Sequence, residues 1–234
     1  MDLILYIAFA AALLISFVAQ IKVSTTFNKY SRIPSRAGKT AAEVASMILR
    51  ENGINDVRIE MVGGNLTDHF DPRSRVLRLS ESVYSSTSSA AVGVAAHEAG
   101  HAIQHAVGYF PIKLRGTLVP ITNISSRISW IVIALGLVIS AFAELGNAGY
   151  YVILFGVGLF SMTAVFQLVT LPCEFDASRR ALANLERCGW YSQDELSSSR
   201  KVLSAAAMTY VAALFVSIIQ VLRLLLIFTR GRKR

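Results

Sequence analysis

Val92-Gly93-Val94-Ala95-Ala96-His97-Glu98-Ala99-Gly100-His101-Ala102-Ile103-Gln104-His105 is the stretch from which the rest of the chain is read. Two histidines four residues apart on a helix lie about 40° apart around its axis, so His97 and His101 can direct both imidazoles at one ion. Glu98 follows His97 directly and is turned to the side of that ion, free to take a proton from a water that the metal activates. Three fixed residues arise by chance in roughly one chain in a hundred of this length. The flanks argue against chance. Ser88 can cap a helix start, and the residues around the motif are small or apolar, as a half-buried helix requires. The expectation is a helix that holds Zn2+.

Outward from this helix the chain becomes strongly apolar. A hydrophobic fraction of 53% over 234 residues, with a mean hydropathy of +0.50, exceeds what a soluble domain needs. The excess sits in residues 3–21, 128–143, 150–171 and 205–228, the last interrupted by Arg223. Each run approaches the roughly 20 residues that cross a bilayer. Glu144-Leu145-Gly146-Asn147-Ala148-Gly149 reads as the turn of a membrane hairpin spanning 128–171. The first run has no positive charge before it and no small-x-small cleavage site after it, so it reads as an uncleaved anchor.

A net charge of +8 raises the question of nucleic acid. The cations answer it by position. Lys22, Lys29, Arg32, Arg36 and Lys39 follow the first run, Lys113, Arg115 and Arg127 precede the second, and no motif interleaves them with aromatics. They set topology, so the partner they imply is a lipid bilayer and not a nucleic acid. The same rule places residues from Lys22 onward, His97 included, on the cytoplasmic face of a cell membrane. Four crossings then leave the tail Arg230-Gly231-Arg232-Lys233-Arg234 outside, against the rule. Either the tail is an exception or the last run bends at Arg223 without crossing fully. Cys173 and Cys188 form no Cys-x-x-Cys pair, which favours a reducing compartment for the loops that carry them.

Residues 27–110 are soluble in character. Ala41, Val44, Ala45, Ile48 and Leu49 stand at helical spacing before a stop at Gly53. Residues 57–62 alternate as a strand ending at Gly63-Gly64, 66–72 read as a loop, and 75–80 as a second strand before the histidine helix. Residues 76–80 are candidates to hold an extended peptide by edge pairing. Residues 172–204 return to polar helix, with a helix start at Cys173-Glu174-Phe175-Asp176 and another at Ser192-Gln193-Asp194-Glu195. The fold expected is an α-helical multi-pass membrane protein with a small α+β region.

Two histidines and a water leave tetrahedral zinc one protein ligand short. Glu174, Asp176, His105, His69 and Cys173 are the candidates. Glu174 is best placed, because it follows a membrane span and a two-helix hairpin would return it beside the histidine helix. His105 sits about 80° around the helix from His97 and is poorly aimed. His69 lies in the loop, where packing histidines are the commoner case. Asp176 faces nearly opposite Glu174 and suits orienting a neighbour.

Leu66-Thr67-Asp68-His69-Phe70-Asp71-Pro72, Val76-Leu77-Arg78-Leu79-Ser80-Glu81-Ser82-Val83-Tyr84, His97-Glu98-Ala99-Gly100-His101-Ala102-Ile103-Gln104 and Glu174-Phe175-Asp176-Ala177-Ser178-Arg179-Arg180-Ala181-Leu182 occur in that order. In them the chain resembles the YugP-like membrane zinc metallopeptidases, and its arrangement is similar to the HtpX-type membrane proteases. The resemblance implies a zincin-like catalytic region and a zinc-dependent endopeptidase acting on a polypeptide substrate. It implies His97, His101 and Glu174 as ligands and Glu98 as general base. One departure stands out. HtpX-type enzymes carry an aspartate four residues after the ligand glutamate, where this chain has Ser178, and Asp176 is the nearby carboxylate that can take over the task of steadying a ligand histidine. Tyr84, Arg179 and Arg180 are candidate donors to the developing oxyanion, although a tyrosine after a strand and arginines near a membrane have structural explanations too.

Two rival readings differ in class. A non-catalytic zinc-binding membrane scaffold would close its metal with four protein ligands and leave Glu98 without a purpose. An intramembrane protease of the site-2 type needs an aspartate ligand in a later span, and no later span has one.

Overall fold

The computed structural model describes residues 2–142 and 147–230. Its elements run α1 (Asp2–Tyr30), α2 (Ala41–Glu51), β1 (Arg58–Val62), β2 (His69–Asp71), β3 (Val76–Ser80), α3 (Glu81–Tyr84), α4 (Ser89–Ala106), α5 (Phe110–Ser140), α6 (Ala148–Arg187) and α7 (Gln193–Arg230). The chain divides into two compact units. One comprises Met1–Val18, Leu114–Thr170 and Tyr210–Arg234; the other comprises Ala19–Lys113 and Leu171–Thr209.

The first unit is apolar. α1, α5, α6 and α7 are each long and apolar enough to cross a membrane, and the chain is a multi-pass membrane protein. α5 and α6 meet through glycines. A Cβ on Gly136 would lie 2.8 Å from the Ile153 backbone nitrogen, and one on Gly149 would lie 2.6 Å from the Gly136 carbonyl. Where lipid tails are as apolar as the side chains, such close backbone approach supplies the attraction between helices. α7 continues as helix through Arg223. The guanidinium lies 4.3 Å from the Phe9 ring centroid and 5.4 Å from that of Tyr6. These ring faces accept the charge and leave the helix backbone intact. Glu144, Leu145 and Gly146 of the expected turn, and residues 231–234 of the tail, lie outside the described residues.

The second unit is built around α2 and α4. Thr40 starts α2 with a capping box: its Oγ1 accepts from the Glu43 amide at 3.3 Å, and Glu43 Oε2 accepts from the Thr40 amide at 2.8 Å. Val44, Ala45, Ile48 and Leu49 then face one core with Ala91, Ala95 and Ala99 of α4. Small residues on α4 let the two helices lie close. Ser88 caps α4 by accepting from the Ala91 amide at 3.2 Å. Gly108, at φ +67°, turns the chain into α5. Ser199 Oγ of α7 donates to the Ser89 carbonyl at 2.8 Å, opposite the bare backbone of Gly93.

The sheet has the order β1-β3-β2. β3 pairs parallel to β1, Arg58 opposite Val76, and antiparallel to β2, His69 opposite Arg78. Two expectations change. Residues 66–72 contain a strand, because three residues are too few to show alternation and Asp71-Pro72 is a turn signal. β3 is the central strand, so its backbone is engaged on both sides and the edge-pairing role expected of 76–80 does not hold; the edges are β1 and β2. A third correction concerns Cys173-Glu174. No helix begins there, since α6 passes through Pro172 from Ala148 to Arg187. Pro172 removes one amide donor, which a helix packed on both sides of it tolerates.

Ile48 is fully buried at the α2–α4 contact. Ile48→Ala should lower stability by about 2–5 kcal/mol, read as a drop in melting temperature of the detergent-purified protein.

Candidate metal centre

α4 and α6 bring three ligand-bearing side chains together. One donor atom each from His97, His101 and Glu174 lies within 4.8 Å of the others. Glu174 Oε2 is 3.2 Å from His97 Nε2 and 3.6 Å from His101 Nε2. Glu174 is buried, at 2% exposure, and both histidines are nearly so. The approach depends on Gly100, which lies between the two histidines. A Cβ there would stand 2.6 Å from the Ala177 carbonyl of α6. Any side chain at 100 would push Glu174 away from the imidazoles.

The far nitrogens of both rings are engaged. His97 Nδ1 lies 3.1 Å from Ser178 Oγ, and His101 Nδ1 lies 3.0 Å from Gln104 Oε1. Gln104 is fully buried and donates through Nε2 to the Cys173 carbonyl at 2.8 Å and to Asp176 Oδ2 at 3.0 Å. With its amide nitrogen committed to two acceptors, Gln104 presents its oxygen to the ring, so His101 Nδ1–H donates and Nε2 keeps its lone pair. Asp176 also accepts from Arg180 Nε at 2.6 Å and from Arg179. It therefore reaches His101 through Gln104, while Ser178 touches His97 directly. Two imidazole nitrogens, each ring anchored through its other nitrogen, and one carboxylate oxygen are a donor set that fits zinc.

Glu98 is buried on α4, the helix of the two histidines, and its carboxylate makes no hydrogen bond or ion pair with any described residue. Asp68 stands near it. Burial raises the Asp68 carboxyl above its ordinary value, the Ser80 donors lower it, and the negative charge of Glu98 raises it further. The Ser80 amide and hydroxyl hold Asp68 at 2.7 and 3.1 Å.

The other candidates lie elsewhere. The His105 ring packs 5.6 Å from that of Phe70, on a cavity of about 530 Å³ shared with Asp56 and Arg75. His69 is exposed in β2, with Nδ1 2.9 Å from the Thr67 carbonyl. Cys173 contributes its backbone carbonyl to Gln104. Tyr84 packs half-buried on the hydrophobic core. Arg179 is exposed and turned onto Asp176, and Arg180 lies 5.9 Å from the Tyr109 ring centroid. Sequence reasoning gave Gln104 and Asp68 no role. The signal for Gln104 was a long polar side chain three residues after His101, on the same face of a helix otherwise small and apolar.

Gln104→Leu should weaken zinc binding by about ten- to a hundredfold, measured by competition with a chelating dye. Gly100→Ala should cost about 1–3 kcal/mol in stability and weaken zinc as well. Gly116→Ala, where a Cβ meets nothing within 4 Å, should do neither.

Residues 5–229 match the family described as "Putative neutral zinc metallopeptidase". A curated relative, "Putative membrane protease YugP" of Bacillus subtilis (strain 168), is 44% identical over 222 residues, which is 95% of this chain and 95% of the relative. No solved structure matches. With a family match across nearly its whole length and a relative of this identity, the chain belongs to the neutral zinc metallopeptidase family.

Proposed function

We propose that the chain is a membrane-embedded zinc endopeptidase that hydrolyses peptide bonds, with His97, His101 and Glu174 as metal ligands and Glu98 as general base. The observation that carries the reading is the convergence of those three ligand atoms within 4.8 Å, two of them on the helix that also carries the buried Glu98. Zinc bound there would supply Lewis acidity toward the scissile carbonyl and make water acidic enough to ionise near neutrality. The chain's own residues do the rest. Ser178 and Gln104 hold the two imidazoles in orientation. The Glu98 carboxylate takes the proton of the attacking water and returns it to the leaving amine nitrogen.

The substrate class proposed is polypeptide. β2 is an edge strand whose Phe70 packs against His105 of α4, so its outer backbone can pair with an extended chain. The working division is an anchor at 3–21, a catalytic region at 27–110, a membrane hairpin at 128–171, a helical region at 172–204 bearing Glu174, and a last span at 205–228. Both catalytic segments face the cytoplasm in this reading, on the strength of the cations after the first span. A structural zinc scaffold is the less favoured alternative, because three donors leave a tetrahedral ion open for water.

The test is purification in detergent, zinc analysis, and cleavage of an unfolded polypeptide. Glu98→Gln should retain zinc and lose activity by at least about a hundredfold. Glu174→Ala should lose zinc and activity together. Wild-type cleavage that survives exhaustive chelation, or Glu98→Gln cleaving as well as wild type, would overturn the reading.

A further inference from the structure

A second site stands apart from the metal centre and independent of the peptidase reading. The last turns of α1 and the first turns of α7 enclose a groove of about 570 Å³ whose walls carry Lys22, Lys29, Arg200 and Lys201. No acidic residue lines it. None of the four cations makes an ion pair with a described residue. Lys29 and Lys201 come from different helices and converge on one ring: their Nζ atoms lie 5.5 and 5.7 Å from the Tyr30 centroid. A cluster of like charge gathered without counter-charge is self-repelling, and it is relieved by an anion from outside.

The level of the groove along its helices identifies that anion. Lys22 is the first residue after the apolar run 3–21, and Lys201 precedes the apolar run 205–228 by a single turn. Its lining joins the four cations to Ala205 and Met208, the first residues of the apolar run of α7 that it reaches. A ligand that fills it needs a negatively charged head and an apolar continuation. We propose that this groove binds the phosphate of an anionic phospholipid headgroup, with the acyl chains running along the apolar parts of α1 and α7. Basic clefts between membrane helices at the headgroup level recognise such lipids. A free phosphate would use the cations and leave Met208 without a role.

Native mass spectrometry of the detergent-purified full chain, with phosphatidylglycerol or phosphatidylcholine added, tests the assignment. Wild type should retain phosphatidylglycerol in preference to phosphatidylcholine. Lys29→Gln with Lys201→Gln should weaken that retention about twenty-five-fold, from a roughly fivefold factor per lysine. Lys29→Arg with Lys201→Arg should keep it, as should Arg50→Gln with Arg127→Gln, which removes as much charge outside the groove. Zinc content and melting temperature unchanged in the glutamine pair establish that the fold is intact. Equal retention of the two lipids by wild type would overturn the proposal. So would loss of retention in the Arg50/Arg127 pair to the same degree, or displacement of phosphatidylglycerol by an equal concentration of inorganic phosphate.

Discussion

The contact of Gly100 with the backbone of Ala177 governs the site. Because residue 100 has no side chain, α6 lies directly on α4, and Glu174, about one turn before that contact, and Ser178, the residue after it, reach His97. The same contact buries Gln104 against Cys173 and Asp176. A chain of hydrogen bonds thus runs from two arginines through Asp176 and Gln104 to the His101 ring. Every member is tied to the interface between two helices, so the position of one ligand fixes the others.

The parts of this site legible in the sequence are those with a local period. His97 and His101 stand one helical turn apart, and Ser88 announces the helix by its capping chemistry. The capped α2 and the alternating β1 were legible for the same reason. What stayed hidden depends on tertiary contact. β2 is too short to carry a period, and the central place of β3 follows from a crossover that no local pattern encodes. Pro172 suggested a boundary, yet α6 continues through it, since packing of a long helix outweighs one lost hydrogen bond. Gln104 reads as an ordinary polar residue until its three partners are seen together.

The membrane segments follow a different economy of forces. Contact between α5 and α6 is set by close backbone approach at glycines, beside a small buried cluster of Ile133, Ile153, Val157 and Leu224. Arg223 is held on aromatic rings. The cations of the α1–α7 groove gather where the apolar runs of those helices end. Charge in this protein therefore marks two levels along the helices: a buried carboxylate among imidazoles, and an open basic cleft beside the apolar runs.

The central claim is that one metal ion joins α4 to α6 through His97, His101 and Glu174. X-ray absorption at the zinc edge of the purified full-length protein tests it most directly. The account predicts a first shell of nitrogen and oxygen only, at about 2.0–2.2 Å, with the outer scattering of two imidazoles. A sulfur shell at about 2.3 Å, which would bring Cys173 to the metal, or the outer scattering of a single imidazole, would contradict it.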